Sequence, residues 1–520
     1  MYDLLIKGAR VVDGTGAPFF WGDLGVARGR IAGVGRLDGK ARRVVRARGL
    51  VLAPGFIDIH SHSDIAYLVN PLGESKVRQG VTTEVIGQCG FSLAPVAGPA
   101  VKEIERKLSE YGLELSWRGM GEYLERLREA RPAVNLAPVA GHGTVRGSVL
   151  GYEPRPPTGE ELDGMCRLLR EALAEGAFGL STGLIYPPGS FARTEELIAL
   201  ARELVPLGGI YFTHLRNEGG RLFEAIEEAV RIGEEAGVPV HIAHLKAGGE
   251  GNWGKGEEAL SRVLQARARG VDVTCDQYPY TASSTGLVSI LPDWAQAGGS
   301  EELLARLQDP GYRARLAAGC VVSDWERILI SSVKTEANKR WEGNSLAEIA
   351  RGRGKTPLEA ALDLLVEEEL QVDMIRFGLS EDDVRTIMRH PWVMVGSDGS
   401  ALAPYGLLGK GKPHPRNYGT FPRVLGHYVR EEGVLGLEVA VHKMTGLPAW
   451  RLGLWDRGVL RPGFWADLVL FDPERIRDLA TYTDPHRYPE GVELVVVNGV
   501  VTVEAGEHTG ARAGQVLARC

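Results

Sequence analysis

Between about Pro54 and Gly453 the chain alternates apolar runs of strand length with stretches of helical period. The runs Gly80 to Ile86, Ala177 to Leu180, Ile210 to Thr213, Val238 to Ala243, Val271 to Cys275 and Val393 to Val395 have the texture of buried strands. Within Arg221 to Ala236, the apolar residues Leu222, Ala225, Ile226, Ala229 and Ile232 share one helical face. Strands alternating with such helices predict parallel β/α units. A (β/α)8 TIM-like barrel over residues 54–454 is the natural closure for that many repeats.

The flanks have another rhythm. Leu4 to Ile6, Ala9 to Val12, Leu24 to Val26, Arg30 to Val34 and Arg43 to Arg46 read as short strands, with breaks such as Asp13-Gly14-Thr15-Gly16. The tail repeats this character in Ala466 to Phe471 and Glu493 to Gly499. The two ends, 1–53 and 455–520, are therefore expected to pair into one small β-sandwich domain. From 289 to 350 the strand–helix alternation lapses into a polar, tryptophan-containing stretch, expected as an insertion after a barrel strand. It either decorates the fold or forms a lid-like segment, since long barrel loops sit at the catalytic face.

Composition narrows the class. At 520 residues the chain exceeds what one hydrophobic core supports, and 44% hydrophobic with 24% charged residues is ordinary globular usage. A net charge of −7 without long charged runs leaves no footprint for nucleic acid or an anionic membrane. Met1 to Gly8 lacks the basic stretch and apolar core of a secretory signal. The five cysteines, Cys89, Cys166, Cys275, Cys320 and Cys520, are scattered and odd in number, which points to a reducing, cytoplasmic setting rather than a disulfide framework. The expected partner is a small-molecule substrate.

The chemistry concentrates at strand ends. In Pro54-Gly55-Phe56-Ile57-Asp58-Ile59-His60-Ser61-His62 strand alternation points His60 and His62 the same way. Cys89 follows a strand within Gly87-Gln88-Cys89-Gly90, where glycines let the backbone bring a side chain inward. His214 closes Gly209 to Thr213, and His244 follows Val238 to Ala243. His241 lies on the opposite face of an ideal strand and reads as a packed or orienting histidine. Asp398 ends the run Val393 to Ser397. Any one of these side chains has a bland reading, such as a core thiol or a turn aspartate. Together, strand ends supplying four histidines, a cysteine and an aspartate predict a metal site at the catalytic rim of the barrel. Imidazole, thiolate and carboxylate suit Zn2+, with cobalt and manganese as alternatives, and the donor number leaves room for one tight and one weaker ion. Such a metal activates water near neutral pH, with Asp398 as the candidate general base and acid.

These residues resemble those of the amidohydrolase superfamily. Gly87 to Ser92, Gly179 to Gly189, Thr213 to Glu218 and His414-Pro415-Arg416 are similar to motifs of its N-acyl-D-amino-acid deacylase (D-aminoacylase) family. The resemblance runs through Lys443 to Pro448 and into the final β segment. It implies that Cys89, His214 and His244 hold the tight zinc, while His60, His62 and Asp398 flank a weaker position that shares Cys89. It also implies that Lys246, Tyr278, Ser284 and Arg416 grip a substrate α-carboxylate, and it alone supplies the preference for D-amino acids. Hydantoinase-like relatives bridge two metals with a carboxylated lysine on the fourth strand, but Phe178 to Thr182 contains no lysine. The alternatives are a hydrolase of cyclic amides or dipeptides and, in another class, a non-catalytic scaffold of the same fold.

Overall fold

A computed structural model describes residues 1–519. Its centre is a barrel of eight parallel strands: β1 (Phe56–Asp58), β2 (Val81–Ile86), β3 (Asn135–Pro138), β4 (Gly179–Gly183), β5 (Ile210–His214), β6 (Val240–Ile242), β7 (Val273–Gln277) and β8 (Val393–Val395). β1 to β3 form one arc, and β4 to β8 another. Two seams close the ring. The Phe178 amide donates to Pro138 O at 2.7 Å between β3 and β4. Between β8 and β1, the Asp398 amide donates to His60 O at 2.8 Å and the His62 amide to Gly399 O at 2.9 Å. The six apolar runs coincide with β2 and with β4 to β8. β3 escapes such a reading because Asn135-Leu136-Ala137-Pro138 is too short and mixed to show a period.

Helices cover the barrel through single apolar faces. In Leu222–Ala236 the buried positions Leu222, Ala225, Ile226, Ala229, Val230 and Ile232 recur at helical spacing, and Gly237 in the left-handed region ends the helix. Burying each large aliphatic side chain of this kind contributes roughly 1.5–3 kcal/mol.

Both chain ends build one nine-stranded sheet, in which Leu468–Phe471 pairs antiparallel with Val51–Pro54. Strand alternation divides its side chains between two cores. Leu52, Leu468, Leu470, Leu494 and Val496 join Leu4, Ile6 and Leu24 inside the curled sheet. Val51, Ala53, Val469, Phe471, Val495 and Val497 instead join the large core shared with the barrel. The first two expected strands are one, Tyr2–Val11, with a register shift between Ile6 and Ala9 where Gly8 adopts φ 71°.

The insert is wider than 289–350. Its antiparallel sheet consists of Ala282–Gly286, Ile328–Val333 and Val372–Phe377, and its separate core runs from Leu287 to Met374. The polar strand Ala-Ser-Ser-Thr-Gly gives no apolar signal, so the boundary is set by pairing rather than by composition. Among the described residues no helix is long and apolar enough to cross a membrane. Leu468→Ala should cost about 2–5 kcal/mol by opening a cavity in the terminal sheet. A urea midpoint equal to that of the wild type would show that this core does not carry the expected load.

Candidate metal centre

β2 delivers Cys89 through a turn that admits no side chain at its flanks. A Cβ at Gly87 would lie 2.2 Å from Val139 O, and one at Gly90 would lie 2.6 Å from Gly183 N. Cys89 itself has φ 53°, His244 φ 34° and Asp398 φ 51°. Left-handed backbone at three such residues stores strain, of order 1–3 kcal/mol each, and turns side chains at strand exits toward the barrel axis. Nearby bonds hold the conformation. The His244 amide donates to Asp276 Oδ1 at 2.9 Å, and the Asp398 amide is fixed by His60 O across the seam.

All six side chains singled out in the sequence converge. Cys89 Sγ lies 3.3 Å from His60 Nε2, 3.6 Å from His214 Nδ1 and 3.4 Å from His244 Nε2. Asp398 Oδ1 lies 2.9 Å from His62 Nε2 and 3.4 Å from His60 Nε2. Tetrahedral zinc, with Zn–S of about 2.3 Å and Zn–N of about 2.0–2.1 Å, requires S···N edges of about 3.5 Å. The thiol and its three neighbouring imidazoles have that spacing, so the donor set fits zinc.

Charge prepares the donors. Burial pushes the Cys89 thiol up, but the His60 and His244 imidazoles outweigh it and hold the thiol well below its ordinary value. For Asp398 burial is likewise outweighed, chiefly by Arg416 and His244, and the carboxyl is held well below the usual carboxylate range.

The amidohydrolase family matches residues 43–503. The chain belongs to that family. It is 41% identical over 519 residues to a D-aminoacylase of Alcaligenes xylosoxydans xylosoxydans, covering 100% of this chain and 98% of that protein. An N-acyl-D-aspartate deacylase of the same organism is also 41% identical, over 521 residues, covering 99% of this chain and 95% of the relative. An N-acyl-D-glutamate deacylase from Bordetella bronchiseptica, solved with zinc and a phosphonate inhibitor, superposes with a TM-score of 0.85 at 36% identity, with 100% of each chain covered.

Within this amidohydrolase the residues expected to grip a carboxylate surround the centre. Lys246 Nζ is 2.7 Å from His244 Nδ1, and Arg416 Nη1 is 2.7 Å from Asp398 Oδ2. The Tyr278 ring lies near both cations, 5.6 Å from Lys246 Nζ and 5.0 Å from the Arg416 guanidinium carbon, and its buried hydroxyl has no hydrogen-bond partner. Ser284 comes from the insert, and its carbonyl accepts from Arg416 Nη2 at 3.2 Å. The insert thus reaches the site through this contact with Arg416. β4, Gly179–Gly183, presents no lysine to the centre.

Asp276 went unrecognised in the sequence. It accepts from His241 Nε2 at 2.9 Å and faces His60 Nδ1 at 3.2 Å, so one buried carboxylate orients a centre histidine and the adjacent His244 backbone. Its place at the end of β7, in line with the other strand-end donors, was the available signal. His241 turns away from the thiol, toward Thr274 Oγ1 and Asp276.

Burial pushes Cys166 up to about 11 and raises Cys275 as well, in contrast to Cys89. In chelator-treated protein at pH 7, iodoacetamide should therefore alkylate Cys89 ahead of Cys166 and Cys275, and added zinc should protect it. Equal labelling of Cys275, mapped by mass spectrometry, would contradict an ionised Cys89.

Proposed function

We propose that the chain hydrolyses the amide bond of N-acyl-D-amino acids, releasing a carboxylate and a free D-amino acid. The observation carrying this reading is the pair of cations, Lys246 and Arg416, set against opposite members of a zinc-compatible donor cluster. Cys89, His214 and His244 are assigned to a tight zinc, and His60, His62 and Asp398 to a weaker position sharing Cys89. Bound zinc supplies Lewis acidity that polarises the amide carbonyl and makes water a competent nucleophile near neutral pH.

The remaining work falls to side chains. Lys246, Arg416, Tyr278 and Ser284 seat the α-carboxylate through charge-assisted and hydroxyl hydrogen bonds, which places the scissile amide over the cluster. Asp398, kept ionised by its surroundings, accepts the proton of the attacking water through Oδ1 and returns it to the departing nitrogen. The free thiols Cys89, Cys166, Cys275 and Cys320 agree with a cytoplasmic location.

A panel of N-acetyl-D- and N-acetyl-L-amino acids, dihydrouracil and dipeptides, assayed before chelation, after it and after zinc return, tests the assignment. Zinc-restored turnover of the D-substrates is expected, and turnover of cyclic amides alone would overturn it. Asp398→Asn should lose most turnover, on the order of 10²-fold or more, while retaining the tight zinc. Arg416→Ala should raise KM. Because Arg416 depresses the Asp398 pKa, removing it moves that pKa upward, so the acid limb of kcat/KM should shift to higher pH. An unchanged KM and limb would remove Arg416 from the substrate site.

A further inference from the structure

Glu218 has no role in the scheme above, yet its carboxylate faces the back of the tight-metal histidines. His214 and His244 turn Nδ1 and Nε2, respectively, toward Cys89 Sγ. Their other nitrogens turn toward Glu218. His244 Nδ1 is 3.0 Å from Oε1, and His214 Nε2 is 3.7 Å from Oε2. An imidazole that gives one nitrogen to a metal carries its proton on the other, and that N–H needs an acceptor. His214 Nε2 is buried and makes no hydrogen bond, with Glu218 Oε2 facing it at 3.7 Å. Lys246 Nζ also donates to Glu218, while lying only 2.7 Å from His244 Nδ1. At that distance Lys246 donates to an unprotonated Nδ1; a metal on Nε2 would move the proton to Nδ1, and the Glu218 carboxylate, 3.0 Å from Nδ1 and already accepting from Lys246, is the acceptor then available to both. Without it, Lys246 and an Nδ1–H would confront each other, and one of them must turn away.

We propose that Glu218 is a positioning residue: it fixes the tautomer and orientation of His214 and His244 for the tight metal and holds Lys246 at the angle from which it meets the substrate carboxylate. The inference rests on the zinc-centre reading given above. It links metal affinity and substrate affinity through a single side chain that touches neither.

The test uses the full-length protein with Glu218→Gln and Glu218→Ala. Zinc affinity is measured without substrate, by competition with a chromogenic chelator, so its outcome is independent of which amide is hydrolysed. Glu218→Ala should weaken zinc binding about 10- to 100-fold, and Glu218→Gln, which keeps one acceptor oxygen, by less. At saturating zinc both variants should raise KM for an N-acetyl-D-amino acid more than they lower kcat. X-ray absorption of the zinc-loaded Glu218→Gln protein should retain the wild-type sulfur and nitrogen shell. Wild-type zinc affinity in a folded Glu218→Ala protein, or loss of a metal ligand in Glu218→Gln, would overturn the proposal. Should Glu218→Ala not fold, the Gln variant alone decides, through its affinity, its KM and its metal shell. A wild-type protein that binds zinc but hydrolyses none of the N-acyl-D-amino acids would refute the proposed function and leave the affinity result standing.

Discussion

The ammonium of Lys76, fully shut away from solvent, holds the barrel together beneath the centre. It donates to Asp58 Oδ2 at 2.7 Å, to Ser397 Oγ at 2.6 Å and to Gly399 O at 3.2 Å. Asp58 ends β1, while Ser397 and Gly399 flank Asp398 beyond β8, so one charge spans the seam from which His60, His62 and Asp398 emerge. Asp58 Oδ1 adds a bond from the Ser397 amide at 2.8 Å, and Glu84 on β2 lies 3.5 Å from the same ammonium. Removing one partner of a buried ion pair typically costs about 3–5 kcal/mol, because the other charge is left without compensation. The geometry of three donors at the rim therefore depends on an ion pair one layer below them.

The same layering recurs around the ring. Three donors stand on backbone or a carboxylate fixed from a different strand: Asp276 from β7 under His60 and His244, and glycine-permitted close approach of the turn after β2 to the ends of β3 and β4 under Cys89. Strained backbone at Cys89, His244 and Asp398 persists because the surrounding core over-determines it. Rigidity of this kind suits a cluster whose donors must keep fixed edges whether or not an ion is present.

Much of this was legible in the sequence, and what was not has a physical pattern. Apolar runs located six of the eight strands, because that signal is local. The donors at strand exits could be listed for the same reason. β1 ends at Asp58, so His60 and His62, expected to alternate on one strand face, lie just beyond the strand. Asp276, Glu218 and Lys76 were not assigned, since what each does depends on partners distant in sequence: His60 and His241 for Asp276, His244 and Lys246 for Glu218, Asp58 and Ser397 for Lys76. Lys76 in particular sits in a short helical turn, Glu74–Val77, where a lysine reads as a solvated side chain. The insert's true edges depend on antiparallel pairing between Ala282–Gly286 and Val372–Phe377, which no single window contains.

The terminal sheet has a bearing on biosynthesis. Val51–Pro54 must find Leu468–Phe471, more than four hundred residues downstream, before its edge is covered. While the ribosome is still making the barrel, the leading strands have no partner on that side, and their apolar face waits for chain not yet synthesised. Strand pairing at such separation is slow and leaves sticky edges exposed in the meantime. The nascent chain therefore carries this uncovered edge until its last strands are made, and completion of the sheet ends that exposure.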